Sequence, residues 1–100
     1  MGTPPLAVDH ERLATLCRRH GIRRLALFGS GARGELRPDS DVDLLVEFLP
    51  GTTVGLRFIT IQDELAALVG RDVDLCTPGF LSPHFRERVI EEALPLYEAA

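Results

Sequence analysis

Apolar residues first recur at helical spacing and then in a short run, so the start of the chain predicts a helix followed by a strand. Asp9 can cap a helix that extends to about His20, and Gly21 provides its stop. Residues 25–28 form an apolar run that predicts a buried strand, and the glycine-containing residues 29–40 predict a loop. The apolar stripe of the predicted helix consists of Leu13, Leu16 and Cys17.

The next segment, Val42 to Phe48, alternates between apolar and polar positions, which predicts a strand with one face on the core. The predicted buried face consists of Val42, Leu44, Val46 and Phe48, and the opposite face of Asp41, Asp43, Leu45 and Glu47. The polar face therefore carries two carboxylates that leave the strand in the same direction.

The second half of the chain predicts two more helices and one more strand. Apolar residues between 54 and 68 step by three and four, which predicts a helix from about Thr53 to Val69, with Gly70 after it. Residues 73–76 predict a short strand, and Ser82-Pro83 predict the start of a last helix that Pro95 stops or kinks. The last stripe is Phe85, Val89, Ile90, Ala93 and Leu94. The predicted order is helix, strand, loop, strand, helix, strand, helix, in one α/β domain spanning residues 1–100.

Composition narrows the classes of partner. The net charge is −4, whereas a protein that binds nucleic acid by neutralising phosphates is usually basic, so general nucleic-acid binding is not expected. A nucleotide held through cations remains compatible with this charge. The two cysteines, Cys17 and Cys76, suit free thiols in a reducing compartment. The chain shows no signal-peptide pattern and no apolar run long enough to cross a membrane, so we expect a cytoplasmic protein without membrane association.

The glycine-rich segment after the first strand admits several interpretations, and three of them fail. Gly29, Gly31 and Gly34 spell a dinucleotide-binding fingerprint, but Pro38 leaves no room for the helix that this fingerprint requires. A phosphate-binding P-loop would need Gly-Lys-Ser/Thr, which is absent. An EF-hand beginning at Asp39 would need glycine and glutamate where Leu44 and Pro50 stand. A plain solvated turn is the remaining structural alternative to a functional site.

Metal-dependent nucleotidyl transfer accounts for more of the pattern. Asp41 and Asp43 are like charges in close proximity, and a divalent cation would relieve their repulsion. Gly29 would let the backbone approach phosphates, and Ser30 could donate a hydrogen bond to them. A third carboxylate would complete a two-metal site, and Asp74 is a better candidate than Asp72 because it lies within the predicted strand.

The combined motif resembles the DNA polymerase beta nucleotidyltransferase superfamily, and above all its smallest prokaryotic members, the minimal nucleotidyltransferases. The residues that carry the resemblance are Phe28-Gly29-Ser30-Gly31-Ala32-Arg33-Gly34-Glu35, Pro38-Asp39-Ser40-Asp41-Val42-Asp43-Leu44 and Asp74 between Val73 and Leu75. The resemblance implies a small mixed β-sheet with flanking helices, ATP as substrate and two Mg²⁺ ions. It also implies a role as an antitoxin that adenylylates a tyrosine of a HEPN-domain partner.

The same resemblance assigns roles to individual residues. It implies that Asp41, Asp43 and Asp74 are catalytic and bind the metal ions, and that Gly29 and Ser30 bind the nucleotide. Arg33 and Arg37 are candidate contacts to the triphosphate or a partner, or else exposed loop residues.

By the same resemblance, larger family members carry a helical domain for the acceptor, and we expect this chain to have none. We therefore expect a partner protein or a second copy of the chain to complete the site. The alternative function is a neutralising module that blocks its partner by binding alone. We further expect His10, His20 and His84 to face solvent and Tyr97 to be partly buried.

Overall fold

In the computed structural model, which describes residues 8–29, 41–80 and 82–99, four strands form one mixed sheet flanked by helices. The elements are α1 (His10–Arg19), β1 (Ile22–Phe28), β2 (Val42–Phe48), α2 (Arg57–Val69), β3 (Val73–Cys76), a short 3-10 helix (Pro78–Phe80), α3 (Pro83–Glu92) and β4 (Leu94–Glu98). The strand order is β3-β2-β1-β4, with β2 and β3 parallel and the other neighbours antiparallel. This arrangement confirms the predicted mixed sheet.

The core lies between the sheet and the helices α1 and α2. Asp9 caps α1 as predicted, accepting hydrogen bonds from the backbone N–H groups of Glu11 and Arg12. The apolar stripes of both helices meet alternate residues of β1, β2 and β3. The buried core consists of Leu13, Leu16, Cys17, Ile22, Leu25, Leu27, Val42, Leu44, Val46, Ile61, Leu65, Val73 and Leu75. The predicted stripe of α1 and the predicted buried face of β2 are confirmed, except that Phe48 is only half-buried.

The opposite face of the sheet is covered in part. Ala26 and Leu45 are buried on this face, although Leu45 was placed on the polar side of its strand by its alternation. The 3-10 helix contacts β2, and α3 contacts β1, so these elements provide the cover. No residue of α3 is fully buried, however, and Phe85 is 60% exposed. The acid-bearing face is therefore only lightly covered next to α3.

The end of the chain differs from the prediction. The last helix ends at Glu92, and residues 94–98 form the edge strand β4, paired with β1, where a continued helix and a stop had been expected. Pro95 is tolerated because an edge strand leaves one side of its backbone without a ladder partner. Tyr97 is half-buried against the core, as predicted.

Two other element boundaries also shift. β1 begins at Ile22 because Arg23 and Arg24 lie within the strand, and both form ion pairs with Glu47 on β2. The start of α2 lies at Arg57, four residues later than predicted, because Gly55 adopts a positive φ of 49° that interrupts the helical backbone.

His20 is the clearest error in the sequence prediction. It was expected to face solvent, but it is only 7% exposed, and its Nε2 lies 2.6 Å from Glu64 Oε2. Arg19 donates to the same carboxylate oxygen at 3.2 Å. This contact ties the end of α1 to α2 on the helical side of the sheet.

None of the helices in the described ranges is long and apolar enough to span a membrane.

Candidate functional site

Two of the three predicted acids are brought side by side by the parallel pairing of β2 and β3. Asp43 and Asp74 are register partners on these neighbouring strands. The backbone N–H of Val42 donates to the carbonyl of Asp72 at 2.9 Å, which sets this register at the start of the pair. Partners in adjacent strands lie about 5 Å apart and project their side chains to the same face. The Asp43 and Asp74 carboxylates therefore leave the sheet together.

The face that carries these acids is the one opposite α1 and α2. On β2, Leu44 points into the core, so Asp43 points to the other side. Asp74 is exposed, Asp43 is half-buried, and Asp41 is exposed immediately before β2 begins. The predicted accessibility of Asp41 and Asp43 is thus compatible with their positions.

The pKa of Asp43 reflects its burial and the negative charges of the other two acids. Its pKa is raised from 3.8, first because burial penalises the carboxylate and then because the charges of Asp74 and Asp41 repel it. A positive ion placed among these side chains would relieve that repulsion. The structure thus pairs Asp43 with Asp74, and the charge of Asp41 acts on Asp43 from just before β2.

Gly29 lies directly beside Asp43. It follows Phe28, the β1 residue paired with Asp43, and adopts a φ of 70°, which favours glycine. A β-carbon at this position would lie 2.8 Å from Asp43 Oδ2. The backbone conformation therefore favours glycine here, and a larger residue would also have to displace the Asp43 carboxylate. The other predicted nucleotide-binding residues, Ser30 and Arg33, lie outside the described residues, as does Arg37.

The donor set fits Mg²⁺, although it is not a closed metal cage. Within residues 8–29, 41–80 and 82–99, no three His, Cys, Asp or Glu side chains lie close enough together to hold a metal ion by themselves. Mg²⁺ is usually held by one or two carboxylates and completes its shell with water and substrate phosphates. Mutually repelling carboxylates beside a glycine turn match that requirement.

One further residue on this face was not assigned to the site from sequence. Cys76 pairs with Leu45, two positions along β3 from Asp74, and is half-buried. The pKa of its thiol is raised from 9.0, first by burial and then by the negative charges of Asp74 and Asp43. Its thiol is therefore protonated at neutral pH. Both cysteines are free thiols, as expected.

Known proteins with similar sequences also indicate a nucleotidyltransferase. The nucleotidyltransferase domain family matches residues 11–97 of the chain. A candidate protein adenylyltransferase of Methanocaldococcus jannaschii is 34% identical over 84 residues, which are 84% of this chain and 89% of that protein. The protein adenylyltransferase MntA of Thermococcus cleftensis is 40% identical over 76 residues, which are 76% of each protein.

Solved structures share the architecture. A candidate minimal nucleotidyltransferase aligns with a TM-score of 0.73 at 45% identity, covering 86% of this chain and 87% of that one. Two structures with lower identity share the fold alone. One is a toxin–antitoxin complex with AMP-PNP (TM-score 0.71, 22% identity, 92% of this chain and 75% of that one). The other is a tri-AMPylated Shewanella oneidensis HEPN toxin in complex with an MNT antitoxin (TM-score 0.62, 21% identity, 90% and 70%).

The sheet topology, the acid pair beside Gly29 and these similarities indicate the same family and fold. The chain belongs to the nucleotidyltransferase domain family and has the polymerase beta-like nucleotidyltransferase fold.

Proposed function

We propose that this protein is a Mg²⁺-dependent adenylyltransferase that moves AMP from ATP to a tyrosine hydroxyl of a HEPN-type toxin and so acts as its antitoxin. The observation that carries this proposal is the register pairing of Asp43 with Asp74 beside Gly29. The carboxylates lie next to a turn at Gly29, and the triphosphate would approach the backbone there. The adenylyltransferase relatives favour AMP as the transferred group.

Each site residue has a distinct role in the proposed reaction. Asp41 and Asp43 would hold both Mg²⁺ ions, and Asp74 would hold the catalytic one. Bound Mg²⁺ would supply positive charge that stabilises the α-phosphate in the transition state. Gly29 and Ser30 would bind the β- and γ-phosphates, with Arg33 as a further phosphate contact.

Asp74 would also help to remove the acceptor's proton. Because Asp74 is exposed, an acceptor hydroxyl on a docked protein can reach it from solvent. Asp74 takes the hydroxyl proton while the hydroxyl oxygen forms its bond to the α-phosphorus. The bond from the α-phosphorus to the bridging oxygen breaks, and pyrophosphate leaves. No covalent enzyme intermediate is required.

The acceptor is proposed to come from a partner protein. A HEPN toxin accompanies the MNT antitoxin in the complex from Shewanella oneidensis, where the toxin carries AMP groups. The alternative is that a second copy of the chain contacts the acceptor. We place the reaction in the cytoplasm, where the free thiols of Cys17 and Cys76 stay reduced.

The proposal is tested by transfer of label from ATP. The protein is incubated with ATP labelled at the α-phosphate, Mg²⁺ and a HEPN-domain protein from the same organism, and the modified residue is identified by mass spectrometry. Wild type should label one or more tyrosines and inhibit the toxin, whereas Asp41→Ala/Asp43→Ala should do neither. Asp63→Ala, which removes an exposed carboxylate from α2, is the matched control and should behave as wild type. A double variant that still protects without labelling would show the alternative, inhibition by binding alone.

A further inference from the structure

A side chain on α2 is bonded to the strand that carries Asp74. The backbone N–H of Leu75 donates a hydrogen bond to Gln62 Oε1 at 3.1 Å. A backbone N–H can only donate, so the oxygen of the Gln62 amide must face the strand. Gln62 is the single glutamine in the sequence and is half-buried beside the core residue Ile61.

The Leu75 N–H needs this partner because β3 is an edge strand. In a parallel ladder, alternate residues direct their N–H and C=O groups to the neighbouring strand. Val42 N–H bonds to the Asp72 carbonyl, so the β3 residues whose backbone faces β2 are 72, 74 and 76. The backbone groups of Leu75 therefore point away from β2, on a side where the described part of the chain adds no further strand. Gln62 takes the place of that missing strand.

This hydrogen bond acts on Asp74 through the peptide that joins it to Leu75. The carbonyl of Asp74 and the N–H of Leu75 belong to one rigid peptide plane. The carbonyl side of this plane faces β2, and Gln62 holds its N–H side. The orientation of the plane sets ψ of Asp74 and thereby the direction in which its side chain leaves the strand relative to Asp43.

We infer that Gln62 is a positioning residue for Asp74, holding the third carboxylate in register with Asp43 from the helical side of the sheet. The inference rests on the proposed function, because it concerns the catalytic use of Asp74. Partners that orient a metal-binding carboxylate typically change activity or metal affinity by roughly 10–100-fold when they are removed. The acids and the glutamine lie on opposite faces of the sheet, so Gln62 acts through the backbone without touching substrate.

Two substitutions separate the hydrogen bond from packing. Gln62→Met keeps the length of the side chain and removes the strong acceptor. Gln62→Glu keeps an oxygen that accepts from the Leu75 N–H. We expect Gln62→Met to lower kcat for AMP transfer roughly 10–100-fold and to leave the KM for ATP near its wild-type value, because Gly29, Asp41 and Asp43 are untouched. Gln62→Glu should keep kcat near the wild-type value.

A control variant distinguishes positioning from general loss of stability. Thr52→Val removes another side-chain-to-backbone bond, from Thr52 Oγ1 to the Gly21 carbonyl at 3.4 Å, at the opposite end of the sheet. It should leave kcat unchanged when all variants are assayed well below their melting temperatures. Amide hydrogen exchange, measured by NMR, should show faster exchange at Leu75 in Gln62→Met and normal protection in Gln62→Glu.

The outcomes separate this inference from the proposed function. If wild type transfers no AMP, the proposed function fails and the role of Gln62 fails with it. If wild type is active and Gln62→Met retains its kcat, only the positioning role is overturned. Loss of kcat to the same degree in Thr52→Val, or in Gln62→Glu, would also overturn it.

Discussion

The α-carbon of Gly29 faces the carboxylate of Asp43, and any β-carbon added to it would lie 2.8 Å from Oδ2. We therefore expect Gly29→Ala to lose AMP transfer, because either the turn or Asp43 must move. The positive φ of 70° should add a stability cost of about 1–3 kcal/mol. Label transfer and urea denaturation measure the two effects.

Gly51→Ala is the control for that substitution. Gly51 has a φ of 84°, but a β-carbon there would meet nothing within 4 Å. The variant should show a similar loss of stability and keep its activity. Equal activity in both alanine variants would contradict the close approach of Gly29 to the site.

Asp43→Asn should raise the melting temperature of the protein in EDTA. The substitution removes a half-buried charge that Asp74 and Asp41 repel, so it favours the folded state. Mg²⁺ should raise the melting temperature of wild type and have little effect on Asp43→Asn. Thermal melts with EDTA and with Mg²⁺ test both statements. Asp63→Asn, which removes one exposed charge elsewhere, should show neither effect.

The stability of the fold should fall in alkali partly because of Cys17. Burial raises the pKa of its thiol from 9.0 to about 12, with a smaller opposing effect of Arg18. Between these values the unfolded thiol loses its proton while the folded one retains it, so rising pH favours unfolding. The contribution is at most about 1.4 kcal/mol per pH unit. Urea denaturation from pH 8 to pH 11 should show a shallower decline for Cys17→Ala than for wild type.

Glu64→Leu should destabilise the contact between α1 and α2. His20 Nδ1 has no hydrogen-bond partner among the described residues, so removing Glu64 would leave both ring nitrogens of a buried histidine without one. The expected loss in unfolding free energy is about 1–3 kcal/mol. Asp63→Leu, at the exposed neighbouring position, should cost much less in the same chemical denaturation experiment. Equal losses of unfolding free energy in Glu64→Leu and Asp63→Leu would show that the contact between His20 and Glu64 contributes little.

Local patterns predicted the elements whose signals lie within a few residues. The alternation of residues 42–48 predicted β2 and the side from which Asp41 and Asp43 project. The cap at Asp9 and the apolar stripe of α1 were also readable from sequence. The glycine before the acids indicated the turn at Gly29, although its separation from Asp43 depends on how β1 and β2 pair.

Features that depend on distant partners could not be predicted in this way. The expectation for His20 was wrong because Glu64, whose carboxylate contacts the buried imidazole ring, lies far away in sequence. Leu94 was predicted to lie in the last helix and Pro95 to stop or kink it, whereas pairing with β1 makes residues 94–98 an edge strand. The register that aligns Asp74 with Asp43 likewise follows from tertiary packing.

The parallel pairing of β2 with β3 also has a consequence for biosynthesis. The antiparallel strands β1 and β2 are consecutive, so Gly29 and Asp43 can meet early in folding. Asp74 arrives only after α2 has returned the chain to the start of β2, a crossover with a larger loop-closure cost. A nascent chain still lacking that crossover cannot bring Asp74 beside Asp43, so this pair of acids forms only as the topology is completed.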